Sequence, residues 1–337
     1  MIYFDVTKSS AVRHRSGLAR LSERLREELG VDAQTGSWND IRDRAKADDW
    51  FVTTELFSEA ERPGFTEFLN QRTCRTAAIF ADAIPMKHPQ ITWPQSVARH
   101  PSYLKMLGRF EKVWAISHAS REELTSYWKW LGLERTPPVQ TLPLGADLRR
   151  LPRGRRATSA DQRGLLCVGI LEPRKNQRFL LEVCEELWTS GMTFDLHIVG
   201  RVNPHFGAPV VAQIKSLQKK FSGLLYHEAA RDDVLAGLYG SVRATVFPTI
   251  AEGCGLPLLE SLWHGVPCVC SDLPVLRENS DGGGCIAAEV NSHEAWTKAL
   301  RTVLQDDVEH ARLTEEALAR PLPRWSEAAD RLRSGLS

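Results

Sequence analysis

No stretch of this sequence approaches the roughly 20 consecutive apolar residues that a membrane-crossing helix needs. The opening residues, MIYFDVTKSS, lack the basic start and long apolar core of a secretion signal, so a cytoplasmic protein is expected. An excess of one charge is missing too. The 43 Lys and Arg stand against 42 Asp and Glu, a formal net charge of +1, which gives no global reason to expect a nucleic-acid partner. There is no short-period repeat. No G-x-G-x-x-G follows the first apolar run, which argues against a dinucleotide-dependent dehydrogenase. No Asp-x-Asp pair stands at a strand end, and Cys and His do not recur at a zinc-like spacing, so no metal and no cofactor are expected. The seven cysteines are an odd number, and Cys167, Cys268 and Cys270 lie inside apolar runs. Free, buried, reduced thiols explain them, with Cys268 and Cys270 on one face of a strand.

What is present is ordinary in amount and informative in order. A chain of 337 residues, 42% hydrophobic and 25% charged, exceeds one comfortable core, so two domains are expected. Short apolar runs alternate with amphipathic stretches. Strands are expected at 2–6, 50–54, 76–81 and 112–117, then at 165–169, 194–199, 224–227, 244–247 and 266–270. Helices are expected from Gly17 to about Leu29, from Ser117, over 177–188, near 210–221 and 232–239, and from about Glu309 onwards. Leu18, Leu21, Leu25 and Leu29 recur at helical spacing and read as core. Ser117 and Ser120 both suit a helix cap, with Glu123 completing a capping box behind Ser120. The alternation in both halves predicts an α/β protein of two Rossmann-like domains rather than one sheet. The boundaries are 1–147 for the first domain, 148–164 for a basic linker or loop, 165–320 for the second, and 321–337 for a terminal helix that packs back on the first, with Trp325 as its anchor.

The loops at the carboxyl ends of strands carry the chemistry. After the first strand, Thr7-Lys8-Ser9 and Arg13-His14-Arg15-Ser16-Gly17 are basic and rich in small residues. His14 there is either a ligand contact or a solvated loop histidine. Asp82 ends a strand, where it is either an acid available to a hydroxyl or a turn-capping aspartate. His118 sits at a strand-to-helix junction and is a further candidate. Gly169 and the run Glu172-Pro173-Arg174-Lys175-Asn176 place two cations where a strand gives way to a helix, suited to neutralising a diphosphate.

The most specific stretch is PTIAEGCGLPLLESLWHGVPCVCSDLPVLRE, from Pro248 to Glu278. Gly253 and Gly255 let backbone amides approach a ligand, Pro257 fits a first helical turn, and Gly265 can end that helix in a left-handed conformation. A helix start behind a glycine loop favours an anion, most simply a phosphate. Glu252 ahead of it and Glu260 behind it can accept hydrogen bonds from paired hydroxyls of a sugar or a ribose. The residues alone suggest a nucleotide-sugar held at both ends.

The run Glu252-Gly253-Cys254-Gly255-Leu256-Pro257, then Glu260, Gly265, Pro267 and Ser271-Asp272, resembles the donor-site signature of retaining GT-B glycosyltransferases of the GT4 type. That family usually has Phe where this chain has Cys254. The resemblance implies two Rossmann-like domains facing each other across a cleft that closes on its substrates. It implies transfer of a sugar, without a metal, from a nucleoside diphosphate donor to a hydroxyl of a glycan or lipid-linked acceptor, in surface polysaccharide or glycoconjugate biosynthesis. Glu252 then holds the transferred sugar and Glu260 the ribose. Gly253, Cys254, Gly255, Leu256 and Pro257 cradle the donor, Lys175 and Arg174 stabilise the leaving diphosphate, and backbone near 226–229 lines the base. Gly17 answers to a loop over the diphosphate where relatives often carry two glycines, and Ile170 stands where they commonly carry arginine. Asp82-Ala83-Ile84-Pro85 is similar to a segment of mannosyltransferase-like members, which implies a GDP-mannose-like donor and an acceptor contact for Asp82. The arginines of 149–163 suit either a solvated loop or peripheral contact with a membrane's inner face. The alternatives are a nucleotide-sugar-binding protein without transferase activity, and a GT-B epimerase acting on UDP-N-acetylglucosamine.

Overall fold

The computed structural model describes residues 1–11, 17–148, 153–154, 163–228 and 230–337. His14, Ala229 and most of the basic stretch 149–163 lie outside the described residues. The chain divides into two units, Met1–Gly145 with Pro323–Ser337, and Ala146–Leu322.

The first unit runs β1 (Ile2–Asp5), α1 (Gly17–Leu29), β2 (Ala33–Gly36), α2 (Trp38–Arg44), β3 (Trp50–Thr53), α3 (Phe65–Gln71), β4 (Arg75–Phe80), α4 (Ile84–Lys87), α5 (Pro94–Leu107), β5 (Lys112–Ala115), α6 (His118–Trp130) and β6 (Val139–Thr141). Its described strands form one parallel sheet in the order β2-β1-β3-β4-β5-β6. The central strands are buried on both faces, as parallel strands covered by helices must be. A cluster of aromatics (Trp38, Phe51, Phe57, Phe65, Phe68 and Phe110) packs mostly edge-on beneath α2 and α3.

Helix α1 buries Leu21, Leu25 and Leu29, each worth about 1.5–3 kcal/mol of transfer free energy. Leu18, expected in the same stripe, is instead 38% exposed, because it lies in the first turn at the edge of the contact. In α6 the cap is Ser117, whose hydroxyl accepts the Ser120 amide at 3.0 Å. The Ser120 capping box does not form. Ser120 Oγ donates to Ala81 O at 2.7 Å, and Glu123 pairs with Lys87 at 2.5 Å. The final helix, α14 (Trp325–Leu336), packs on α1, and Trp325 fills the space that Gly145 leaves open for it.

The second unit runs β7 (Gly164–Val168), α7 (Gln177–Thr189), β8 (Asp195–Val199), α8 (Ala208–Gln218), β9 (Leu224–His227), α9 (Asp232–Tyr239), β10 (Ala244–Phe247), α10 (Leu256–Trp263), β11 (Cys268–Ser271), α11 (Pro274–Ser280), β12 (Cys285–Ala288), α12 (His293–Gln305) and α13 (Asp307–Ala319). Its described strands form a second parallel sheet, β12-β11-β10-β7-β8-β9. The chain leaves β7 towards β8 on one side and later returns to β10 on the other. That reversal leaves a crevice at the carboxyl ends of β7 and β10, the place where open α/β sheets bind ligands. All seven cysteines are free thiols, and all but Cys285 are buried.

The first sheet has its own reversal at β1 and β3, and there the chain buries charge. Arg62, 2% exposed, reaches Asp5 Oδ2 at 2.7 Å and pairs through its other nitrogen with Glu55. Thr53 Oγ1 donates to Asp5 Oδ2 at 2.7 Å, and the amides of Lys8 and Ser9 donate to Glu55 at 2.8 Å. Burial, and then the Asp5 charge, lift the Glu55 carboxyl above its usual range, although those amides and Arg62 pull the other way. The cluster ties β1 to the loop behind β3. Replacing Arg62 by Met leaves two buried carboxylates without their cation. It is expected to lower stability by about 3–5 kcal/mol, read as a drop in the urea midpoint of the first unit's transition. An unchanged midpoint would show that the cluster carries no stability.

Candidate functional site

Two loops meet at the crevice of the second sheet. Behind β7 the chain passes Gly169 and Ile170 and makes a single 3-10 turn, Pro173–Lys175, closed by Asn176 in the left-handed region at φ 56°. Behind β10 it runs from Thr249 to Gly255 and enters α10. Backbone bonds join the loops, with Ile250 N donating to Arg174 O at 2.9 Å.

Glu252 is the knot between them. One of its oxygens, Oε1, accepts from Lys175 Nζ at 2.5 Å, Arg174 Nη1 at 2.8 Å and Thr249 Oγ1 at 2.8 Å. Burial pushes the Glu252 carboxyl up, but the charges of Arg174 and Lys175 outweigh it and hold the group below its usual range. Lys175 is lowered from its ordinary value, because burial outweighs the attraction of Glu252. Its stem runs along Gly169, where an added Cβ would sit 3.3 Å from Lys175 Cδ, and its ammonium lies 4.9 Å from the centre of the Phe247 ring. Arg174 also reaches Glu172 Oε1 and the Ala251 carbonyl, and Asn203 Nδ2 holds the far oxygen of Glu172 at 3.0 Å. Ile170, standing where the family commonly has arginine, brings no charge to this loop, and Arg174 is committed to carboxylates.

Helix α10 starts as the sequence suggests. Gly255 is its N-cap at φ +87°, in the left-handed region, and a Cβ there would lie 2.6 Å from Leu276 Cδ2, so only glycine fits without a shift. Pro257 lies in the first turn and Gly265, at φ +66°, follows the last. Asn279 Nδ2 grips Cys254 O at 2.6 Å and fixes the loop against α11. Cys254 is buried, and burial pushes its thiol up to about 12, so it stays protonated and unreactive. Glu260 lies within α10, buried, with Tyr239 Oη donating to its Oε2 at 3.1 Å.

Glu252, Lys175, Arg174, Gly169, Gly253, Cys254, Gly255, Leu256, Pro257 and Glu260 thus all belong to the second unit, on the loops and helix at the crevice. Gly17, Asp82 and His118 belong to the first unit. Gly17 is exposed at the start of α1, and among the described residues nothing lies within 4 Å of where a Cβ would stand. Asp82 acts as a turn cap, its Oδ1 accepting the Ile84 amide at 3.0 Å. His118 is exposed, with Nδ1 3.4 Å from Thr141 Oγ1. Sequence reading missed Thr249, Glu172 and Asn203, which hold Glu252 and Arg174 in place, and His100, which donates Nε2–H to Asp82 O at 3.1 Å. Only the Thr249 spacing, three residues before Glu252, carried a local signal.

Two six-stranded parallel sheets, each with a reversal of strand order, with one acid ahead of a glycine-capped helix, one within it and a cationic turn joined to the first, define an α/β protein of GT-B fold. Residues 162–306 match the family model of glycosyl transferases group 1. The chain is 29% identical over 253 residues to the serotype-specific mannosyltransferase WbdA of Escherichia coli, covering 68% of this chain and 30% of WbdA. It is 32% identical over 155 residues to O-antigen chain mannosyltransferase B of Escherichia coli, covering 46% of this chain and 40% of that protein. The chain therefore spans well under half the length of each of these relatives. Among solved structures, HepE of Anabaena, crystallised with UDP and glucose, superposes with a TM-score of 0.71 over 99% of this chain and 98% of its own. At 12% identity that likeness is one of fold.

His100 supplies a pH signature. Burial lowers its pKa to about 4, against about 6.5 in an unfolded chain. Unfolding therefore takes up a proton between these values, so the stability due to the neutral ring is complete above about pH 6.5 and is lost as pH falls towards 4. The loss amounts to roughly 3 kcal/mol. His100→Gln keeps a donor for Asp82 O and removes the titration. A urea midpoint measured from pH 7 to 4 should fall less steeply for the variant. Parallel curves would refute the assignment.

Proposed function

We propose that this chain is a retaining glycosyltransferase that moves a sugar from a nucleoside diphosphate donor, GDP-mannose or a related GDP-sugar, to a hydroxyl of a glycan or lipid-linked acceptor in surface-polysaccharide biosynthesis. The observation that carries the proposal is the joining of Glu252 to Lys175 and Arg174 across the β7 and β10 loops, beside the glycine-capped start of α10. The mannosyltransferase relatives favour mannose and polysaccharide assembly.

On this reading the diphosphate lies at the α10 start, where helix amides favour an anion, and Lys175 stands beside it. As the bond between the anomeric carbon and the diphosphate breaks, negative charge grows on the leaving oxygen. Lys175 and the loop amides from Cys254 onwards stabilise that charge without a metal ion. Glu252, fixed by Thr249 and Arg174, accepts from hydroxyls of the transferred sugar. Glu260 accepts from the ribose. Asp82 and the first unit serve the acceptor.

Lys175→Ala should lower kcat by about 10²-fold or more, the scale of losing one preorganised charge-stabilising group, measured as nucleoside diphosphate release with donor and acceptor present. Near-normal turnover would refute the leaving-group role. Glu260→Ala should weaken donor binding about tenfold or more with the fold intact, since buried hydrogen bonds to a charged group are worth about 1.5–3 kcal/mol. A thermal-shift panel of GDP-, UDP- and dTDP-sugars reads the donor directly, because a specific ligand raises the melting temperature by mass action. Failure of every GDP-sugar to shift it would reject the proposed base.

A further inference from the structure

One buried contact reaches the site from a helix that no motif marks. Tyr239 ends α9 and is fully buried, so it can touch no ligand itself. Its hydroxyl donates to Glu260 Oε2 at 3.1 Å and lies 3.4 Å from Pro257 O, a carbonyl in the first turn of the same helix. Its ring stacks on His264, with centroids 5.1 Å apart and planes 15° apart. His264 caps the other end of α10, its amide donating to Glu260 O at 3.1 Å. Tyr239 therefore grips α10 at its first turn, at Glu260 and at its cap.

We infer that Tyr239 is a positioning residue which sets the Glu260 carboxylate for the ribose hydroxyls of the donor, so that preference for a ribonucleoside over a 2′-deoxyribonucleoside diphosphate depends on the tyrosine hydroxyl. The inference rests on the ribose reading of Glu260 proposed above. A glutamate has three side-chain torsions, and freezing them at the moment of binding costs affinity. The phenol holds Oε2 before the nucleotide arrives, and a carboxylate oxygen can accept more than one hydrogen bond. Two adjacent ribose hydroxyls need an acceptor of fixed plane, whereas a single 3′-hydroxyl tolerates a carboxylate that swings. The hydroxyl of Tyr239 should therefore matter more to the ribonucleotide than to its deoxy counterpart.

The test is calorimetric titration of GDP, UDP and their 2′-deoxy forms into the full chain and into Tyr239→Phe, His264→Ala and Glu260→Gln variants, with the melting transition recorded for each. Tyr239→Phe should weaken binding of the preferred ribonucleoside diphosphate about five- to tenfold, leave the deoxy form within about twofold, and raise the donor KM with kcat retained. His264→Ala keeps the hydroxyl but removes the ring's support, so it should shift the ribo-to-deoxy ratio the same way by less. It also serves as the test if the phenylalanine variant fails to melt cooperatively. A ratio unchanged in Tyr239→Phe and in His264→Ala, while Glu260→Gln abolishes it, overturns the positioning role and leaves the ribose reading standing. A ratio that survives Glu260→Gln, or is absent from the unmodified chain, overturns the ribose reading and the inference with it.

Discussion

The single oxygen of Glu252 that accepts from Lys175, Arg174 and Thr249 is the interaction on which the second unit's site depends. These donors come from loops behind two different strands, β7 and β10, and without Glu252 the β7 loop would keep the buried Lys175 ammonium without the carboxylate that holds it. An isolated buried ion is costly enough that proteins pair it or neutralise it. Here the charges balance, the two cations Arg174 and Lys175 against the two carboxylates Glu172 and Glu252. The knot sits at the place where strand order reverses, so the fold supplies the crevice and the ion pairs fix its walls.

The first unit meets the same topology with a different answer. At its own reversal, Asp5, Glu55 and Arg62 are 0%, 6% and 2% exposed, and the charges are sealed among themselves and the amides of Lys8 and Ser9. At the second reversal the Arg174 side chain keeps 21% of its exposure. A sealed cluster holds its partners through every step of a reaction. A half-open one can exchange them with a ligand, because solvent and substrate reach the same atoms. The two crevices are therefore not equivalent despite equivalent strand order, and the physical difference is access rather than charge count.

The same contrast separates what is legible in the sequence from what is not. Central strands such as β10 and the pair β3 and β4 are buried on both faces and announce themselves as apolar runs. The edge strands β2 (Ala-Gln-Thr-Gly) and β6 (Val-Gln-Thr) are half-covered and carry no such run, so nothing in their residues sets them apart from loop. Gly255 and Gly265 are readable because left-handed backbone favours glycine and the neighbouring helix gives the position. Leu18 escapes its expected burial because periodicity locates a stripe but not where the neighbouring element stops. Ser117 and Ser120 are equally good caps on composition, and only the strand end at Ala115 decides between them. The Arg62 cluster joins residues 57 positions apart and the Tyr239 contact residues 21 apart, and neither separation has a local period to betray it.

Arg174 is where the sequence and the structure pull hardest on each other. With Ile170 in place of the usual arginine, the sequence offers Arg174 as the replacement charge. The structure gives that guanidinium to Glu172, Glu252 and the Ala251 carbonyl, all within 3.1 Å. A cation already balanced by two carboxylates contributes little net field to a diphosphate a few ångströms away, because the carboxylates' potential cancels most of its own. Its larger effect is mechanical, since it holds Glu252 and the β10 loop against the β7 loop. On the proposed reading the charge work then falls to Lys175, which pairs with one carboxylate where Arg174 pairs with two, and to the amides at the start of α10. A chain that loses one arginine from the diphosphate pocket need not lose the chemistry, provided that Lys175 stays buried enough for its charge to be felt.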